Sequence, residues 1–153
     1  MRDIITIGSI AGVIGTVGMH ITNMILKSIG LVKITTLQIA SSLFLNWDKI
    51  NTTYGVIIGF INHFFIGALV GVAIGYIYKL TGKDYYLVKG LGVTGVSYLA
   101  SMGFIVPLTK SAPQMRNSPS SLVGHIIAYT VFALITSLVI ERYLKLVPNN
   151  KSK

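Results

Sequence analysis

Apolar residues fall along this chain in four long runs, at about 4–26, 54–78, 87–108 and 120–141, and inside them the small and polar positions recur every fourth residue. That period belongs to a helix and not to a strand. Each run holds about the twenty apolar residues that cross a bilayer core as a helix. The second run shows the pattern most fully: Gly55, Gly59, His63, Gly67, Gly71 and Gly75 form one i, i+4 row between Tyr54 and Tyr78. The first repeats it with Gly8, Gly12, Thr16, His20 and Met24, and in the third Gly95 and Gly103 flank Leu99 at the same spacing. In lipid, where helices associate by packing, such rows mark seams of close backbone approach. The predicted architecture is all-α: one transmembrane domain built as an antiparallel four-helix bundle. The first run is longer than the core of a cleavable signal peptide and lacks a small-x-small end, so it is expected to be retained.

The polar breaks between runs differ in character. Lys79 to Tyr86 is a tight turn with Gly82 as breaker, and Ser118-Pro119 reads as a helix cap followed by proline in the first turn. The connection Lys27 to Thr53 is long enough to carry structure of its own. Over 31–46, Thr35, Gln38, Ser42 and Asn46 share one helical face and Leu37, Ala40 and Phe44 another. An amphipathic helix in the headgroup region is expected there, with a short re-entrant segment as the alternative. Glu141 and Lys145 form an i, i+4 pair where the last helix emerges.

Composition sharpens this picture. Of 153 residues 52% are hydrophobic and 11% charged, too apolar for an ordinary soluble domain. The formal charge is +9, but the Lys and Arg side chains sit in connections and tails, which points to anionic lipid headgroups and not to nucleic acid. With both termini on one side, that side carries Arg2, Lys79, Lys83, Lys89, Arg142, Lys145, Lys151 and Lys153. The other carries Lys27, Lys33, Lys49, Lys110 and Arg116. The excess favours cytoplasmic termini. There is no cysteine, which removes disulfides, thiolate metal sites and thiol nucleophiles.

Candidate chemistry rests on three histidines in three different runs: His20, His63 and His125. The up-and-down topology places them toward the same side, at depths that agree within roughly 6 Å at about 1.5 Å per residue. Converging, three neutral imidazoles are a donor set for a transition metal, two facing ones can ligate a haem, and protonated ones would repel and open a bundle. Asn23, Asn62 and Tyr129 stand near them as partners for the ring nitrogens. The competing reading is that each histidine bonds a neighbouring helix and only holds the bundle together. The sequence requires no cofactor. Asp3, Asp48, Asp84 and Glu141 all lie outside the deep part of the runs, so a carboxylate proton relay is absent, and there is neither a phosphate loop nor a nucleophile elbow.

Four short motifs recur in order: Gly8-x-Ile10-Ala11-Gly12-Val13, His63 ahead of the Gly/Ala-rich stretch ending near Tyr76, Phe104-x-x-Pro107-Leu108, and Gly124-His125. With them the chain resembles the YagU-type bacterial inner-membrane family. The resemblance implies a four-span inner-membrane protein with a part in acid tolerance and assigns no catalytic residue. The expected function is therefore non-catalytic: a bundle that packs, self-associates or accompanies a membrane complex. Histidine-based binding of metal, haem or protons is the first alternative, and a small transporter or lipid-acting enzyme the second.

Overall fold

The computed structural model describes residues 3–113 and 117–145, with side chains described as far as Tyr143 in the last helix. Four helices are long and apolar enough to cross a membrane: α1 (Ile4–Ser28), α3 (Thr53–Thr81), α4 (Tyr86–Leu108) and α5 (Pro119–Lys145). A short helix, α2 (Thr36–Ser42), and a single 3-10 turn at Trp47–Lys49 lie between α1 and α3. No strand occurs among the described residues. The long helices pack as an all-α four-helix bundle with α1 at its centre, against α3 on one side and α5 on the other. Helix α4 lies on α5 and touches α3 less extensively.

Local chemistry fixes the ends. Asp3 caps α1, its carboxylate accepting the Ile5 N–H at 3.0 Å and the Thr6 hydroxyl at 3.2 Å. At the other end Gly30, at φ 78°, lets the Leu31 and Gly30 amides turn back onto the Leu26 and Lys27 carbonyls. Thr52 caps α3 through the Gly55 N–H, and the Lys89 ammonium closes its far end by donating to the Thr81 and Gly82 carbonyls. Pro119 opens α5 directly after Ser118, whose carbonyl accepts the Ser121 N–H.

The polarity is inverted relative to a water-soluble bundle. Large apolar side chains such as Ile10, Ile21, Phe65, Leu69 and Leu138 face outward. Thr16, Asn23, His63, Thr94, Ser121, His125, Thr136 and Ser137 are buried among Ile7, Met19, Ile74, Tyr78, Phe132 and Ile140. Outward hydrocarbon and inward polar groups are what a lipid solvent selects.

The glycine row of α3 lies on two seams. Gly67 and Gly71 meet Gly8 and Gly12 of α1 so closely that a Cβ on Gly8 would stand 2.6 Å from the Val72 Cα. One on Gly12 would overlap the Gly67 carbonyl, one on Gly71 the Gly8 carbonyl, and one on Gly67 the Thr16 hydroxyl. Nearer the start of α3, a Cβ on Gly55 or Gly59 would lie 2.6 Å from the Ile50 or Leu37 carbonyl oxygen. Gly75 has ordinary clearance, 3.4 Å from Ile4. Gly95 and Gly103 do not belong to a close-packed seam inside the bundle: a Cβ on either meets open space. Close approaches fall instead at Gly15 and Gly18 against α5, at Gly90 against Ser137, and at Gly124 against Val32.

The connection also departs from a sixteen-residue amphipathic helix. Only Thr36–Ser42 is helical, and it buries Thr36, Leu37, Ile39, Ala40 and Ser41 together, so its polar and apolar faces are both covered. Thr35 and Gln38 form a reciprocal capping box. The Ser41 hydroxyl donates to the Gly55 carbonyl at 2.8 Å, and Lys33 N–H donates to the Ser121 hydroxyl at 3.0 Å. The segment thereby roofs one end of the bundle, held to α3 and α5, with Ile34 and Ile39 packed on Val106 and Ala112.

Candidate functional site

Beneath that roof a polar cluster joins three elements. The amide of Asn23, on α1, donates to the Thr36 hydroxyl on α2 at 3.3 Å and to the Met19 carbonyl at 3.1 Å. The Thr36 hydroxyl lies 3.3 Å from Nε2 of His63 on α3. His63 is 8% exposed and Asn23 and His125 are fully enclosed. The ring of His63 also meets the edge of Phe64, with centroids 6.1 Å apart. Its place on the glycine row turns it inward, which the i, i+4 spacing made visible.

Below His63 the helices part slightly. A cavity of about 30 Å³ is lined by Thr16 and Met19 from α1, His63 and Gly67 from α3, Thr94 from α4, and Tyr129 and Phe132 from α5. Its polar wall is His63 with three hydroxyl groups. The Thr16 hydroxyl donates to the Gly12 carbonyl at 2.8 Å, while that of Thr94 has no protein partner among the described residues.

The three histidines do not share a site. Among the described residues no three His, Cys, Asp or Glu side chains come together so as to hold a metal ion. The expected metal triad of His20, His63 and His125 is thereby not formed. His20 is half-buried and its ring packs edge-to-face with Phe60, centroids 6.4 Å apart. Neither ring nitrogen of His125 has a partner in hydrogen-bond geometry, the Ile34 backbone being the polar group it faces. A haem does not fit either: ligand pockets begin at roughly 300 Å³, an order of magnitude above the cavity that His63 lines.

The expected partners are redistributed. Asn23 serves His63 through Thr36 and not His20, whose Nδ1 is buried without a partner. Tyr129 lines the cavity below His63 and sets its ring edge-on to Tyr98 of α4, centroids 5.1 Å apart. Asn62 is half-buried, one residue round the helix from His63, outside the cluster. Thr36, Thr94, Thr136 and Ser137 were not legible as site residues. The helical spacing of Ser121, His125 and Thr136, with Ala128 and Phe132 between them, was the available signal for the inner face of α5. The Lys145 side chain, expected to pair with Glu141, lies outside the described residues.

Two crevices of about 310 Å³ open on the surface, one beside Asp3, Thr6 and Tyr143, the other beside Met102, Lys110 and Leu122. Neither is lined by a histidine. No protein-family model, curated protein or solved structure matches the chain.

Proposed function

We propose that this is a non-catalytic, self-associating bundle of the bacterial inner membrane, with both termini in the cytoplasm and its basic residues on anionic headgroups. The observation that carries it is the unpartnered face of α4. Only 11% of that span is buried, against 28–44% for the other three. Gly92, Gly95 and Gly103 on it face open space. Its backbone widens to π-helical spacing over Leu99–Ile105, ahead of Pro107, which lacks an N–H. Irregular backbone at membrane depth is tolerated where protein covers it, and glycine faces in lipid favour another helix. A second copy supplies that helix with a matching face. The cavity that His63 lines is about 30 Å³, and the two crevices of about 310 Å³ between spans carry no histidine, which favours packing over a lipid-acting enzyme or a solute carrier. The YagU-type resemblance agrees with the location and brings acid tolerance as the setting.

Energy transfer between donor- and acceptor-labelled copies in liposomes tests this. Wild type is expected to show transfer that falls as protein is diluted into lipid. Gly95→Leu or Gly103→Leu should abolish it while leaving the melting temperature in place. Absence of transfer in wild type at high protein density overturns the reading.

A further inference from the structure

The last turns of α4 leave α5. Tyr86–Tyr98 lies along that helix, whereas residues 99–108 scarcely touch it. Widened turns and proline are where helices bend, and both occur here, with π-helical spacing over Leu99–Ile105 followed by Pro107. Between the departing turns and the start of α5 opens one of the two crevices of about 310 Å³, walled by Met102, Val106, Lys110, Ser111, Ala112 and Leu122. That volume reaches the lower bound of ligand pockets, about 300 Å³. Met102 and Lys110 are separated by two turns, roughly 10 Å along the axis. The headgroup zone on each side of a bilayer is thinner, about 5–8 Å. A crevice with Lys110 at its rim therefore reaches from the headgroups into hydrocarbon.

The walls belong to the folded end of the bundle. The Ser111 hydroxyl donates to the Ser42 carbonyl at 3.3 Å and pairs with the Thr109 hydroxyl at 2.5 Å. Ala112 is buried with Ile34, Ile39 and Val106. Lys110 closes α4, its N–H donating to the Pro107 carbonyl at 3.3 Å, and sits at φ 54°. Helix ends usually place glycine in that left-handed conformation, because a Cβ there meets steric resistance. Here the position carries an exposed lysine. It is the one basic side chain on the described walls, and no acidic side chain is among them. The crevice of equal volume at the other end of the bundle has the opposite sign, with Asp3 and no basic side chain on its described walls.

We propose that this crevice binds one phospholipid of net negative charge, with its phosphate on the Lys110 ammonium and an acyl chain between Met102, Val106 and Leu122. Lysine suits the rim, since its stem covers apolar surface while the ammonium stays among headgroups. A free anion would satisfy the ammonium and leave the apolar walls uncovered, whereas a lipid covers both. Neither Gly95 nor Gly103 lines the crevice, so a second copy on the glycine face leaves it open. The site rests on the placement of basic residues at anionic headgroups proposed above, and gives that placement one defined position.

Trp47, the one tryptophan of the chain, packs on the cluster that contains Val106 and Ala112 and reports on the crevice. Its fluorescence is measured in phosphatidylcholine vesicles containing brominated phosphatidylglycerol, and in matched vesicles where brominated phosphatidylcholine replaces it. The anionic lipid is expected to quench with about fivefold higher apparent affinity, the equivalent of about 1 kcal/mol for one lysine at an anionic surface. Lys110→Gly and Lys110→Gln should bring that preference to about one, and Lys110→Arg should keep it. Lys110→Gly should keep an unfolding midpoint close to that of wild type, since glycine accepts the left-handed backbone. Lys27→Gln, at the same end but outside the crevice, should leave the preference in place. Equal quenching by the two lipids, a preference that survives Lys110→Gly and Lys110→Gln, or one that Lys27→Gln also abolishes overturns the site. A preference removed by inorganic phosphate at constant ionic strength assigns the crevice to a free anion and overturns it too. Quenching by neither lipid overturns the site together with the membrane placement on which it rests.

Discussion

Gly12 of α1 and Gly67 of α3 meet backbone to backbone, so that a Cβ on Gly12 would overlap the Gly67 carbonyl. Two antiparallel helices this close gain packing along both backbones, which in lipid is the main source of helix affinity. Bulk at this point has nowhere to go except by separating the helices.

Gly67→Leu and Gly71→Leu are therefore expected to destabilise by at least the 1–3 kcal/mol typical of overpacked cores, about the upper end or beyond, since backbone is what they strike. Thermal unfolding in detergent should show it as a lower midpoint or as loss of folded protein. Midpoints equal to wild type would mean α1 and α3 are held apart.

The same substitution at Gly95 is the contrast. Its Cβ enters open space, so Gly95→Leu should change the unfolding midpoint by no more than about 0.5 kcal/mol, the range of exposed sites. A loss as large as at Gly67 would place another helix of the same chain there.

Thr36→Val removes the oxygen that accepts from Asn23 and faces His63. Two buried polar groups lose a partner, which costs about 1–3 kcal/mol for each group left unsatisfied. Thr36→Ser keeps the oxygen and should recover most of the loss. If valine is as stable as wild type, the Asn23–Thr36–His63 link contributes nothing.

His125→Leu should behave in the opposite way. Its ring nitrogens have no partner in hydrogen-bond geometry, so an apolar side chain of similar size removes a desolvated polar group and breaks nothing. The expected midpoint is equal to or above wild type. A fall matching Thr36→Val would show that the ring is bonded in the bilayer.

Because the three histidines do not assemble a metal-holding group, zinc, copper or a chelator should leave the unfolding midpoint unchanged. A site that bound metal at one hundred times its Kd would add about 2.7 kcal/mol. A clear upward shift with stoichiometric zinc would reinstate the triad.

How much of this was legible follows from the kind of signal each residue gives. Runs of apolar residues and fourfold glycine rows are properties of a single helix, so the four spans and the inward face of α3, including His63, could be read directly. Gly95 and Gly103, each four residues from Leu99, fit the same fourfold period as Gly67 and Gly71, yet face open space. Spacing shows that a helix has a small face and is silent about which neighbour fills it. The histidines matched in expected depth, but rotation about each helix axis turned His20 toward Phe60 and left Asn23 on the inner side. Thr36 was hidden for another reason. A seven-residue helix is too short to show a period, and its fold-back against α3 depends on contacts with residues far along the chain.

One of those contacts, the Lys33 amide on the Ser121 hydroxyl, spans 88 residues. During synthesis it cannot close until the final helix has left the ribosome and entered the bilayer. Until then the space below His63 lacks the wall that Tyr129 and Phe132 supply. The last helix to be made is thus the one that finishes enclosing the polar interior of the bundle.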